Sequence, residues 1–414
     1  MTVDIRFFQL PAAVIALVLV LAAAEPPVVE APEPSERNFT LTSTELTITP
    51  GGETAYLRFS GNVIVSSTGT DSGTLNITAD VVELDVETGD AISDMDINLP
   101  EVAEEDERIV SNPGQVIAEM AREMKLPRAQ FSGSSLRRFG AAGNVEVRSK
   151  MGVLRTSSLV STDGGNTWAA EERSSFTHRV ELSAKQSQAL AGQLPSPLPV
   201  TGAATGPGAQ TLIVEFEVDY LLYGTAKGSA LARGNIIGDI SADTPDGPQL
   251  QLHIEAKRCE VDVEAQVLTV SEGLRIRAGD LGMCCGELSA NLLEGRIMAT
   301  DGPHLEDRAQ GITVDADVIE VSIDGKEAIA HGDVLVMVPQ KKMRVQAVEV
   351  VVTRQEDSYY AVCRDAEASV GESEFQGERV EMHLAGDSLI IEIKGKQHYR
   401  LDMRKQEQSE IPEL

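Results

Sequence analysis

From Ile312 the chain alternates apolar and polar residues with a period of two. Ile312, Val314, Ala316 and Val318 fall on one side, and Thr313, Asp315 and Asp317 on the other. That period predicts a strand with one buried face. After Val318 the phase slips by one residue, and Ile319, Val321 and Ile323 carry the alternation onward. In a straight strand such a slip turns every later side chain to the opposite face, so a kink or bulge is expected between Val318 and Ile319. Asp324-Gly325 supplies a hairpin turn, because glycine accepts positive φ without a Cβ clash. The return strand, Ala328 to Val336, carries Gly332 near its middle. Glycine inside a strand marks a bulge or a close backbone approach.

The same kinked unit recurs along the chain. Leu75, Ile77, Ala79 and Val81 alternate, then Val82, Leu84 and Val86 continue in the shifted phase, with Ala79 in the place of Ala316. Looser copies run through Ile254, Ala256, Cys259, Val261 and Val263, and through Leu288, Ala290, Leu292 and Leu293. Two more run through Met343, Val345, Ala347, Val350 and Val352, and through Phe375, Gly377, Val380, Met382 and Leu384. Leu154, Thr156 and Leu159 make a partial copy. The companion strand returns as Gly61-Asn62-Val63, Gly143-Asn144-Val145, Gly234-Asn235-Ile236 and Gly332-Asp333-Val334. Units repeated at such spacings bury a continuous core only by stacking. The expected fold is all-β: kinked antiparallel strands stacked as folded-over modules. Leu75, Ile77, Ala79, Ile254, Ala256, Leu288, Ala290, Ile312, Val314, Ala316, Val345 and Ala347 would face the interior. A small residue repeated at the kink either leaves room inside or lets the sheets approach closely.

Gly-Asn/Asp-Val followed by Ala-(Asp)-x-Val-x-Leu resembles the OstA-like family, the periplasmic lipopolysaccharide-transport β-jellyroll. The likeness is clearest over residues 230–395 and around 58–90, strongest in Ala232 to Ile236 and Gly325 to Val338, and faint between 105 and 200. It implies a folded-over stack of antiparallel strands whose apolar interior shields acyl chains. The inward set named above would then line a lipid groove. Lipopolysaccharide or another acyl-chain lipid, and envelope transport proteins of similar fold, are the partners it implies. The alternative is a β-repeat scaffold whose strands pack as a solid core and bind other envelope proteins.

Outside the repeats the organisation is as follows. Residues 1–24 hold an unbroken apolar run, Ala12 to Ala24, ending in small residues before Glu25. Its length fits a secretory signal better than a span, which needs about 20 residues. Counting Phe7, Phe8 and Leu10, residues 7–24 are alternatively an inner-membrane anchor. Either reading exports the remainder to the periplasm. Residues 25–37 are a Pro/Glu-rich tether. The first β module spans 38–191, interrupted by one short helix near 112–126, which Asn112-Pro113 opens and Pro127 stops. A Pro/Gly linker at 192–210 leads to a second module at 211–403, and 404–414 is a polar tail.

Composition narrows the function. The net charge of −30 would repel nucleic-acid phosphates, so no nucleic acid is expected as a partner. The same charge repels an anionic lipid head group, which leaves a groove that buries acyl chains alone or a bridge of divalent cations. Aromatics make up only 4%, so Val, Ile, Leu and Ala must supply the interior. None of the six histidines sits in a metal or triad motif, and His331 occupies the strand position that Arg233 holds in another copy. Asp315 and Asp317 share a strand face that could hold calcium or simply face water. Catalytic signatures are lacking, so no enzyme, cofactor or metal is expected.

Cys259, Cys284, Cys285 and Cys363 permit two disulfides in an oxidising compartment, with Cys259 and Cys363 each joined to one of the doublet, or four reduced thiols. A stack of strands also has terminal edges. Ser388 to Lys394 is a proline-free β-prone run; either Leu389, Ile391 and Ile393 mark it as a site of end-to-end association with a second copy or a related protein, or Arg404 to Leu414 folds back and covers this edge. The first edge is expected near Phe39 to Thr49.

Overall fold

A computed structural model describes residues 38–400 except 52–53, 69–74, 88–127, 133–135, 150–151, 164–166, 183–209, 225–228, 245–246, 263–264, 292, 310, 323–325, 356–357 and 386–387. The expected signal or anchor, tether, helix near 112–126, Asp324-Gly325 turn, linker over 192–209 and polar tail lie outside the described residues.

The chain is all-β, as the alternation predicts. It opens with β1 (Asn38–Thr42), β2 (Glu45–Pro50), β3 (Thr54–Thr68) and β4 (Leu75–Glu87). The stretch with the weakest repeat supplies β5 (Arg128–Ser132), β6 (Leu136–Ser149), β7 (Gly152–Ser161), β8 (Thr167–Ala170) and β9 (Ser174–Leu182). Next come β10 (Gln210–Val218), β11 (Tyr220–Gly224), β12 (Ser229–Thr244), β13 (Gly247–Asp262) and β14 (Val267–Ala278). They are followed by β15 (Leu281–Asn291), β16 (Arg296–Thr300), β17 (His304–Asp307), β18 (Ile312–Asp315) and β19 (Val318–Ser322). The last are β20 (Glu327–Val338), β21 (Met343–Gln355), β22 (Ser358–Val370), β23 (Ser373–Ala385) and β24 (Ser388–Arg400).

Every ladder is antiparallel, and each long strand crosses a corner that divides the sheet into two wings. One wing runs β5–β1–β3–β4–β6–β7–β9–β10–β12 and on to β24. The other runs β2–β3–β4–β6–β7–β8–β11–β12 and likewise on to β24. Short elements such as β18 and β19 are the two halves of one bent strand. The residues on either side of segment 183–209 are therefore neighbours in one sheet, since β9 pairs with β10 and β8 with β11. The buried side chains nevertheless form two clusters, one through Ala170 and one from Leu212, with Leu221 packed against both.

Two kinds of corner occur along the stack. In the first the inward set skips by three, as in Ala79/Val82, Cys285/Leu288, Ala347/Val350 and Cys363/Ala366. This is the phase slip read from the sequence. In the second it skips by four, as in Phe59/Val63, Ala141/Val145 and Ala330/Val334, and the register shifts between the flanking residues. There the Gly-Asn/Asp pair bulges, with φ of 71° at Gly332 and 40° at Asp333. Both solutions keep the apolar positions on the inner face of both wings.

The bulged glycines meet a side chain of the neighbouring corner: Asp80 faces Gly143, Asp219 faces Gly234 and Asp317 faces Gly332. A Cβ on Gly332 would stand 2.8 Å from Asp317 Cβ, whereas one on Gly371, at a similar φ of 64°, would meet nothing within 4 Å. Gly371→Ala should therefore cost only the left-handed strain of about 1 kcal/mol. Gly332→Ala should cost clearly more, roughly 2–3 kcal/mol with the overpacking term added. Equal melting temperatures for the two variants would show that the corner contact is unimportant.

Candidate functional site

The inner faces of the wings are where the sequence places its candidate groove. Ile77, Ala79, Ile254, Ala256, Leu288, Ala290, Ile312, Ala316, Val345 and Ala347 are all buried, between 0% and 8% exposed. Leu75 and Val314 are half-buried and pack against the clusters. One register needs correction. The Leu288–Ala290 copy places a kink after Ala290, but the corner of β15 lies at Gly286, opposite Asp301. Ala290 instead pairs with Leu268 and Ile297 within a wing. The reason is that Cys285 is the small residue before this corner, and a cysteine packs there as readily as alanine.

At the carboxy-terminal end β24 pairs only with β23 among the described strands. Leu389, Ile391 and Ile393 stand opposite Leu384, Met382 and Val380 in the ladder, and Ile391 and Ile393 lie on the inner face. Ile391 and Ile393 are half-buried against the core. At the other end the expected first edge is only half correct. β2 pairs only with β3 among the described strands, but β1 is covered by β5, which returns after residue 127 to pair with it.

The four cysteines are free thiols. Cys363 on β22 lies five ladder steps from the doublet on β15, about 24 Å at strand spacing, far beyond the roughly 7 Å between Cα atoms that a disulfide spans. Burial pushes the thiols of Cys259, Cys285 and Cys363 up to about 12, so they behave as small apolar side chains. Cys284 is exposed, between Arg275 and His304 in the ladder.

Most charged groups serve the outer face, while Asp307 is buried on the same face of β17 as Leu305. Asp315 and Asp317 do not act together: Asp315 Oδ1 lies 2.6 Å from His304 Nδ1, while Asp317 sits in the corner beneath Gly332. Asp80 Oδ2 accepts from Asn144 Nδ2 at 3.0 Å, and Glu83 pairs with Arg58 at 3.3 Å. His331 pairs with Glu349 at 3.3 Å. His253 lies 2.6 Å from Asp239 and 3.3 Å from Glu255, and the hydrogen bond to Asp239 raises its pKa above 6.5. Among the described residues no group of three His, Cys, Asp or Glu is placed to hold a metal ion. No helix among them is long and apolar enough to cross a membrane.

One polar cluster was not anticipated, because its members are two strands and many residues apart. Glu381 is 7% exposed although it stands on an outer face. It accepts from Lys394 Nζ at 2.7 Å and Tyr360 Oη at 2.5 Å, and pairs with Arg379 at 2.7 Å. The bond from Lys394, then that from Tyr360, lowers its pKa from 4.5 to about 2. A depressed carboxylate pKa contributes stability that is present above 4.5 and lost as pH falls toward 2. The melting-temperature gap between the wild type and Glu381→Gln should therefore be widest above pH 4.5 and close toward pH 2. A gap independent of pH would show that the cluster acts through packing alone.

No protein-family model matches this chain, and no curated protein matches it.

Proposed function

We propose that this protein is a non-enzymatic envelope module that holds the acyl chains of lipopolysaccharide or a related lipid between the two wings of its folded sheet, in the periplasm. One observation carries the reading. The inner faces form two largely apolar clusters that together run from β1 to β24, with most charged side chains turned outward; Asp307, 1% exposed on the same face of β17 as Leu305, is the buried exception. An enzyme's site needs convergent polar groups, and this interior supplies very few. A long apolar slot between sheets about 10 Å apart suits an extended hydrocarbon. Repeated small residues beside the corner, Ala79, Ala256, Ala316, Ala347 and Gly377, reduce the side-chain volume on that wall. The resemblance of the Gly-Asn and Ala-Asp segments to the OstA-like family supports the same reading.

End-to-end association through the edge of β24, with a second copy or a related envelope protein, belongs to this proposal. A solid scaffold that binds only other envelope proteins is the second reading, favoured by the near-complete burial of the interior positions. Mass spectrometry of lipids extracted from the protein purified out of its native envelope separates the two. Stoichiometric acyl lipid is the expected result. Lipid at trace level, with the protein fully folded, would leave the scaffold reading standing.

A further inference from the structure

Three chemistry-bearing side chains from separate strands fall in one cross-strand row on the outer face. Cys284 of β15 stands opposite His304 of β17, and His304 stands opposite Asp315 of β18. Residues directly opposite in an antiparallel ladder have Cβ atoms about 4.5–5.5 Å apart. Cys284 and His304 share the outward face, because Met283, Cys285 and Leu305 beside them are buried. His304 Nδ1 lies 2.6 Å from Asp315 Oδ1, which holds the ring and leaves Nε2 as the nitrogen that can take a proton. The order along the row is thiol, imidazole, carboxylate: a nucleophile, a base and the group that orients the base.

The surface beside the thiol is low along its own strand. Cys284 is exposed, and its same-face neighbours along β15 are Gly282 and Gly286. Asp301 packs over Gly286, where an added Cβ would stand 2.4 Å from Asp301 Cβ. At Gly282 an added Cβ would meet only Glu306 Oε2, at 4.0 Å. A reagent therefore reaches the sulfur over Gly282, between Arg275 on β14 and His304 on β17. The other cysteines offer no such site. Burial pushes the thiols of Cys259, Cys285 and Cys363 up to about 12, so they present almost no thiolate near neutral pH. Cys285 is adjacent in sequence, but it is buried on the opposite face of β15.

We infer that Cys284 is a thiol–disulfide exchange site at which a small disulfide becomes attached to the outer face, with His304 as the base and Asp315 as the residue that positions it. The site lies outside the proposed lipid groove and does not depend on it. His304 Nε2 takes the proton from Cys284 Sγ, and the thiolate attacks one sulfur of the disulfide. A new S–S bond forms at Cys284, and the S–S bond of the reagent breaks. The departing thiolate takes the proton back from the imidazolium and leaves as a thiol. Cys284 is oxidised and half of the reagent is reduced, so no other oxidant enters. Because Cys285 points to the opposite face, it does not expel the attached group. The mixed disulfide persists until an external thiol removes it, which makes this a reversible modification site.

The probe is 4,4′-dithiodipyridine, a neutral disulfide whose released thiopyridone is read by absorbance, mixed with the full reduced chain under native conditions. One equivalent should be released rapidly per chain, and intact mass with peptide mapping should place a single adduct on Cys284. Cys284→Ser should abolish the fast release. His304→Ala should slow it by at least about tenfold, and added imidazole should restore part of the rate in that variant. Asp315→Asn should slow it several-fold, with Asp315→Glu recovering part of the loss. Gly282→Leu, which places a side chain over the approach, should also slow it several-fold. Equal rates for the wild type, His304→Ala and Asp315→Asn, all folded by circular dichroism, would leave an ordinary exposed thiol and overturn the inference. Two equivalents released with no adduct left on the chain would mean closure onto Cys285, and the persistent modification would be excluded. A native chain that releases nothing would exclude the site itself.

Discussion

Leu288→Asp is expected to abolish the folded state, while Ser289→Asp, one residue away, is expected to leave it intact. Leu288 is 1% exposed on the inner face of β15, and Ser289 faces outward beside Thr269 and Met298. Removing a buried leucine costs about 2–5 kcal/mol. An uncompensated buried charge adds about 3–5 kcal/mol. The sum rivals the total stability of a typical domain, about 5–15 kcal/mol. The half-buried, outward-facing neighbour should change stability far less, by about 0.5 kcal/mol. Thermal unfolding followed by circular dichroism near 218 nm checks both. Similar melting curves for the two variants would show that β15 does not bury the Leu288 face.

The second large effect concerns β24, which among the described strands pairs only with β23. A strand without a neighbour presents a row of N–H and C=O groups, and the hydrogen bonds of another sheet can continue the ladder. Sedimentation should therefore show concentration-dependent association of the wild-type chain. Along an antiparallel edge strand successive residues direct their hydrogen bonds alternately toward the neighbour and away from it. Of Ile390→Pro and Ile391→Pro, one removes a donor pointing outward and the other a donor to β23. Both should weaken association by at least about tenfold, which corresponds to about 1.4 kcal/mol. Only one should also lower the melting temperature. A wild-type chain that stays monomeric at high concentration would rule out association through β24.

The alternation of apolar and polar residues determined the element type, the inward face and the kinks, because those are local consequences of a two-residue period. Ile77, Ala79, Ile254, Ile312 and Val345 were legible as interior for that reason, and all are buried. Gly332 was legible as a bulge because only glycine tolerates that backbone without strain. Where the local signal is ambiguous the reading slipped. Ala290 and Cys285 are both small, and only pairing with β14 and β16 shows which of them borders a corner. The strands of 128–182 carry too few large aliphatic residues to announce their phase, yet their neighbours hold them in the same ladder.

What the tertiary structure alone decided are the relations between residues distant along the chain. The return of β5 to cover β1, the cluster around Glu381, and the stacking distance that keeps Cys363 from the doublet all depend on strand order. So does the continuity of the sheet from β9 to β10 across a Pro/Gly-rich segment that reads as a boundary. A period of two specifies which way each side chain points. It carries no information about which strand lies beside which, because the energy of pairing two apolar, β-branched strands is nearly the same for many partners.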